Sequence, residues 1–87
     1  KPVIQNVAGA VKVSWWSSFL IILAPRVGIG GTPNANAILD LQSTTKAFIP
    51  PRMTTSQRNA IPSPTEGMVI YNTTTHGLEV YTNAGWP

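Results

Sequence analysis

Near its C-terminus the chain carries two runs of strand-forming residues, Met68-Val69-Ile70-Tyr71-Asn72 and Leu78-Glu79-Val80-Tyr81, joined by Thr73-Thr74-Thr75-His76-Gly77. β-Branched and aromatic residues on either side of a short polar loop ending in glycine predict an antiparallel hairpin. Side chains alternate along a strand, which separates Leu78 and Val80 from Glu79 and Tyr81; the expectation is that Leu78 and Val80 face the core and Glu79 lies on the wetter side. Trp86, beyond the Asn83-Ala84-Gly85 turn, is expected to fold back over the hairpin. A lone hairpin is marginal in water, so the remaining residues must give it something to pack against.

The segments leading into the hairpin are short and heavily punctuated. Thr54-Thr55-Ser56-Gln57 has capping-box spacing and predicts a helix of one to two turns through Arg58, Asn59 and Ala60, ended by Pro62 because the residue before a proline is pushed out of the helical region. Pro62, Pro64 and Gly67 then turn the chain. In Lys46 to Arg52, KAFIPPR, Pro50 and Pro51 fix φ and remove two donors, so this piece is extended and excluded from the middle of a sheet. Leu39-Asp40-Leu41 alternates as a short strand within Ala37 to Leu41, and Ser43-Thr44-Thr45 turns the chain after it.

Further upstream, the Gly- and Asn-rich stretch RVGIGGTPNANA, from Arg26 to Ala37, reads as a hinge or tight turn. It has neither the dinucleotide-binding spacing nor the Lys-Ser/Thr ending of a phosphate loop. The apolar run from Phe19 to Ala24 is far shorter than the ~20 residues of a membrane-spanning helix. Ended by Pro25, it predicts a buried strand whose neighbours are the same strand of other subunits. Two tryptophans, Trp15 and Trp16, interrupt the pattern a signal peptide would need. Lys1 to Val13 reads as a loose extended arm.

Totals sharpen the packing problem. A chain of 87 residues makes one domain at most, and at this size folding buries only about 60–65% of the surface of the unfolded chain. With no cysteine and one histidine, disulfides and a histidine-rich metal site are not available to supplement the core, which leaves oligomerisation. Charged residues are 10% of the chain against 43% apolar, too few to cover a monomer's surface. The net charge of +3 comes from scattered basic residues, without the stripe that tracks a phosphate backbone, so nucleic acid is not an expected partner.

Chemistry is sparse. The acids are Asp40, Glu66 and Glu79, and His76 sits in a loop; they form no nucleophile–base pair or paired-carboxylate motif, so no catalytic, cofactor-binding or metal-ligating residue is assigned and the chain is not read as an enzyme. Asn72-Thr73-Thr74 matches a glycosylation acceptor pattern but stands where an asparagine closes a turn. Tyr71, Tyr81 and Trp86 are the candidates for surface recognition, since aromatic faces suit sugars and apolar ligands; the plainer reading places all three in the core.

Taken as one ordered string, Val27 to Gly30 with Pro33, Ala37 to Leu41, Phe48 to Thr54, Gln57 to Ile61, and Gly67 to Thr73 with Trp86 resemble a module recurrent in bacteriophage fibre and other virion appendage proteins and in some bacterial surface proteins. The resemblance runs from Val27 onward and stops short of the residues before Arg26. It implies a mainly β, intertwined module with a short helix and a C-terminal hairpin, completed by trimerisation, and a structural role in a fibre, spike or fibre-base connector of a virion assembled in the bacterial cytoplasm. The alternative is a carbohydrate- or receptor-binding adhesin module of a bacterial surface, with a host glycan or receptor as partner. The expected division is an N-terminal docking or stalk segment, 1–26, contacting other virion proteins, and a fibre-type module, 27–87. Expected interface residues are Trp15, Trp16, Phe19, Leu20, Ile22, Leu39, Leu41, Phe48, Ile70 and Val80.

Overall fold

The computed structural model describes residues 4–7, 10–13 and 20–87. The described residues are mainly β with one short helix. It forms two compact units, Lys1–Ala47 and Phe48–Pro87. Trp15, Trp16 and Phe19 lie outside the described residues.

The first unit holds a five-stranded sheet, β1 (Ile4–Val7), β2 (Ala10–Val13), β3 (Leu20–Leu23), β4 (Arg26–Ile29) and β5 (Leu39–Leu41), in that spatial order. Within the expected loose arm two strands pair instead: Ile4 stands opposite Val13 and Val7 opposite Ala10, and β2 pairs in turn with β3. Val11 and Val13 alternate with Lys12, and such β-branched alternation forms a strand once a neighbour completes its ladder. The Leu20–Leu23 strand is present as predicted and carries the buried Ile21, but its neighbours are β2 and β4 of its own chain rather than copies from other subunits.

β3 and β4 are antiparallel across Ala24-Pro25, and β5 then returns parallel to β4, Val27 beside Leu39 and Ile29 beside Leu41. The stretch expected to be a hinge therefore begins as strand, over Arg26–Ile29. Its loop is held by specific contacts. A side chain on the buried Gly28 would collide with the Gly31 carbonyl oxygen and with the Pro33 ring, whose Cδ is 2.7 Å away. Gly30, at φ 91°, makes the left-handed turn that glycine alone adopts freely. Asp40 ties the loop to β5, its Oδ2 accepting from the Asn34 amide at 2.8 Å and from Gln42 Nε2 at 3.2 Å, while Gln42 Nε2 also donates to the Thr32 carbonyl.

The second unit pairs β6 (Arg52–Met53), β7 (Val69–Asn72) and β8 (Gly77–Val80), with α1 (Thr55–Asn59) between β6 and β7 in sequence. The hairpin β7–β8 forms as predicted, and β6 lies at the sheet edge, where the preceding prolines forgo no ladder bond. The capping box is complete: Thr54 Oγ1 accepts from the Gln57 amide at 3.2 Å and Gln57 Oε1 accepts from the Thr54 amide at 2.9 Å. After Asn72 the loop turns on the asparagine's own side chain, Oδ1 accepting from the amides of Thr74 and Thr75, and His76 takes φ 60° at the corner.

Candidate subunit interface

The register of the hairpin fixes what shares a face. Val69 stands opposite Val80 and Tyr71 opposite Leu78; Ile70 stands opposite Glu79 and Asn72 opposite Gly77. The alternation expected from the sequence is present, but the sides are exchanged. Glu79 is buried at 8% exposure, whereas Leu78 is 64% and Val80 42% exposed. The helix explains the exchange, because α1 covers the Ile70–Asn72–Glu79 face and brings Arg58 with it.

Arg58 Nη1 donates to Glu79 Oε1 at 2.8 Å, and each side chain is 9% exposed. Asn72, fully buried, donates from Nδ2 to both Glu79 oxygens at 3.2 and 3.3 Å and to Thr55 Oγ1 at 2.9 Å. Thr75 Oγ1 donates to the remaining side of the carboxylate at 3.2 Å. Among the described residues, no buried side-chain nitrogen or oxygen lacks a partner. A buried charge is tolerated when it is paired and its lone pairs are filled. The Arg58 hydrogen bond is the main reason the Glu79 pKa falls below its ordinary value; loss of hydration opposes this, and Asn72 and Thr75 lower it further.

Trp86 closes the cluster as expected. Its ring meets Tyr81 edge to face at 5.1 Å between centroids, and the Arg58 guanidinium lies 5.5 Å above it. Of the three aromatic candidates, Tyr81 and Trp86 thus join one cluster on the helix side, while Tyr71 sits on the opposite face. All three are half-buried.

The outer face is the reverse of the inner one. Tyr71 there borders an open groove of about 370 Å³ lined with Phe48, Ile49, Pro50 and Arg52. Phe48 and Ile49 are among the most exposed large side chains. The first unit repeats the theme on β5, where Leu39 and Leu41 point outward and Asp40 is half-buried on its loop. Ile21 and Ile70 are buried. Leu20 and Ile22 are half-buried in β3, and Ile70 is enclosed by its own unit.

Asp40 serves its loop, Glu79 serves the hairpin core, and Glu66 and His76 are exposed. Among the described residues no three histidine, cysteine, aspartate or glutamate side chains are grouped to hold a metal, and no helix is long and apolar enough to cross a membrane. Asn72 has no exposure and closes its turn.

Residues 22–87 match the family described as a phage tail-like trimerisation region. The chain belongs to that family. The match begins inside β3, five residues upstream of Val27, and extends to the C-terminal Pro87, so this trimerisation region includes β4 and β5 as well as the whole second unit. Searches of curated proteins and of solved structures gave no match. The Arg58–Glu79 pair was the feature not anticipated from the sequence; its one signal is that Asn72 and Glu79 share a face of the hairpin, leaving the other face to Val69, Tyr71, Leu78 and Val80.

Proposed function

We propose that the chain is a homotrimeric structural module of a phage tail-type appendage, a fibre, spike or connector of the virion, whose copies complete one another's core. The observation that carries this reading is the outward placement of Leu39 and Leu41 on β5 and of Leu78 and Val80 on β8, with the intervening acids turned inward, in a member of a trimerisation family. Large exposed apolar surface is expensive to leave wet and marks a contact with protein. A structural role fits better than glycan binding, since Tyr81 and Trp86 pack on each other and on Arg58.

Light scattering on the purified chain should give three times the 9.3 kDa protomer mass at micromolar concentration. Immunogold labelling of particles should place the chain on the appendage. A folded monomer in solution, or label confined to the host surface in the absence of particles, would remove this reading.

A further inference from the structure

The outer face of the second unit has a hollow at one edge and a projection at the other. The groove of Phe48, Ile49, Pro50, Arg52 and Tyr71 lies on the β6 side. Leu78 projects from β8, the opposite edge of the same sheet. Neighbouring strands are about 4.8 Å apart, so β6 and β8 are separated by roughly 10 Å and Leu78 does not fill the groove of its own chain.

Symmetry decides how such features meet. A two-fold contact would set Leu78 against Leu78 or groove against groove, whereas a three-fold assembly is built from head-to-tail contacts in which one patch meets a different patch of the next copy and the ring closes. Resting on the trimeric reading above, we propose that Leu78, with Val80 beside it, seats in the groove of a neighbouring copy, three times around a closed ring. Pro50 and Pro51 lack amide hydrogens, so this edge cannot extend a β-ladder through those positions and is met instead by side-chain packing. Phe48 and Ile49, 64% and 65% exposed in the protomer, are the walls that the neighbour covers. The groove is large enough for more than one aliphatic side chain, and the apolar faces of Phe48, Ile49, Pro50 and Tyr71, with Arg52 as the cationic residue of the lining, suit Leu78 and Val80.

The chain has no cysteine, so introduced thiols are unique. Chains carrying Ile49→Cys are refolded together with chains carrying Leu78→Cys, the mass of the mixture is checked by light scattering, and a short bis-maleimide is added. Covalent dimers are expected from the mixture and not from either variant alone. Self-cross-linking of Leu78→Cys in the absence of the other chain, or no cross-link in a mixture that has trimeric mass, overturns the seating of Leu78 while leaving the trimer intact. A wild-type chain that is monomeric would instead remove the trimeric reading itself.

Discussion

Strands β5 and β8 carry the same alternation, Leu39-Asp40-Leu41 in the first unit and Leu78-Glu79-Val80 in the second, and in both the acid turns inward while the aliphatic residues face out. They differ in what receives the acid. Asp40 is half-buried and takes hydrogen bonds from a loop amide and a glutamine side chain, both neutral. Glu79 is buried and faces a guanidinium, with Asn72 and Thr75 filling its other lone pairs. The comparison teaches that outward leucines are common to both units, while full burial of the acid is achieved only where a cation, fixed by a capped helix, arrives to meet it.

The sharpest way to break this contrast is to remove one partner on the β8 side. Arg58→Ala leaves the Glu79 carboxylate enclosed without its cation, and an uncompensated buried charge is strongly destabilising. The expected result is loss of the cooperative thermal transition of the second unit, followed by Trp86 fluorescence in chains whose Trp15 and Trp16 are replaced by Phe. An Arg58→Ala chain that melts like wild type would show that the pair contributes nothing to the fold.

Next in size is the single enclosed aliphatic side chain on that face. Ile70→Ala should cost about 2–5 kcal/mol, the usual range for emptying a buried isoleucine site, measured by chemical denaturation.

Acid should separate the two strands without any substitution. Because folding lowers the Glu79 pKa, the folded state favours the ionised carboxylate. The stability this confers is complete above the ordinary carboxylate value and is lost as pH falls below it, through the lowered folded value. Melting temperature should therefore hold from neutrality down to the ordinary glutamate range and drop on further acidification. Glu79→Gln should flatten that acid-side slope at the expense of stability near neutral pH.

The smallest effect is expected on the β5 side. Asp40→Asn keeps an oxygen to accept from the Asn34 amide and Gln42 Nε2 at an exposed site, where the net worth of a hydrogen bond is on the order of 1 kcal/mol. A shift in melting temperature of a few degrees or less is the expected outcome, and a collapse comparable with Arg58→Ala would erase the distinction between the two strands.

These contrasts also mark what was legible in the sequence. The capping box at Thr54 and Gln57, the proline-stopped strand Leu20–Leu23, the hairpin and the return of Trp86 all depend on residues close in the chain, and local chemistry fixed them. Which face of the hairpin turns inward was not local. Alternation separates Leu78 and Val80 from Glu79, but it leaves the choice of side to whatever covers the sheet, and that is a helix carrying Arg58, 21 residues away. An expectation that apolar residues face the core fails where a helix brings a cation that draws the acid inward instead. The pairing of Ile4–Val7 was hidden for a related reason, since a weakly patterned arm becomes a strand only through the ladder that β2 and β3 supply.

We infer that the outer face of the β7–β8 hairpin is exposed in one chain because other copies cover it. Sedimentation equilibrium of wild type and Leu78→Glu, side by side at micromolar concentration and with circular dichroism on the same samples, tests it most directly. A charge at a side chain 64% exposed in the protomer leaves the protomer's own packing untouched but is not tolerated inside a contact between chains. A trimer is expected for wild type and loss of the trimer for Leu78→Glu; a Leu78→Glu chain that remains trimeric with unchanged stability would mean that no other copy covers this face.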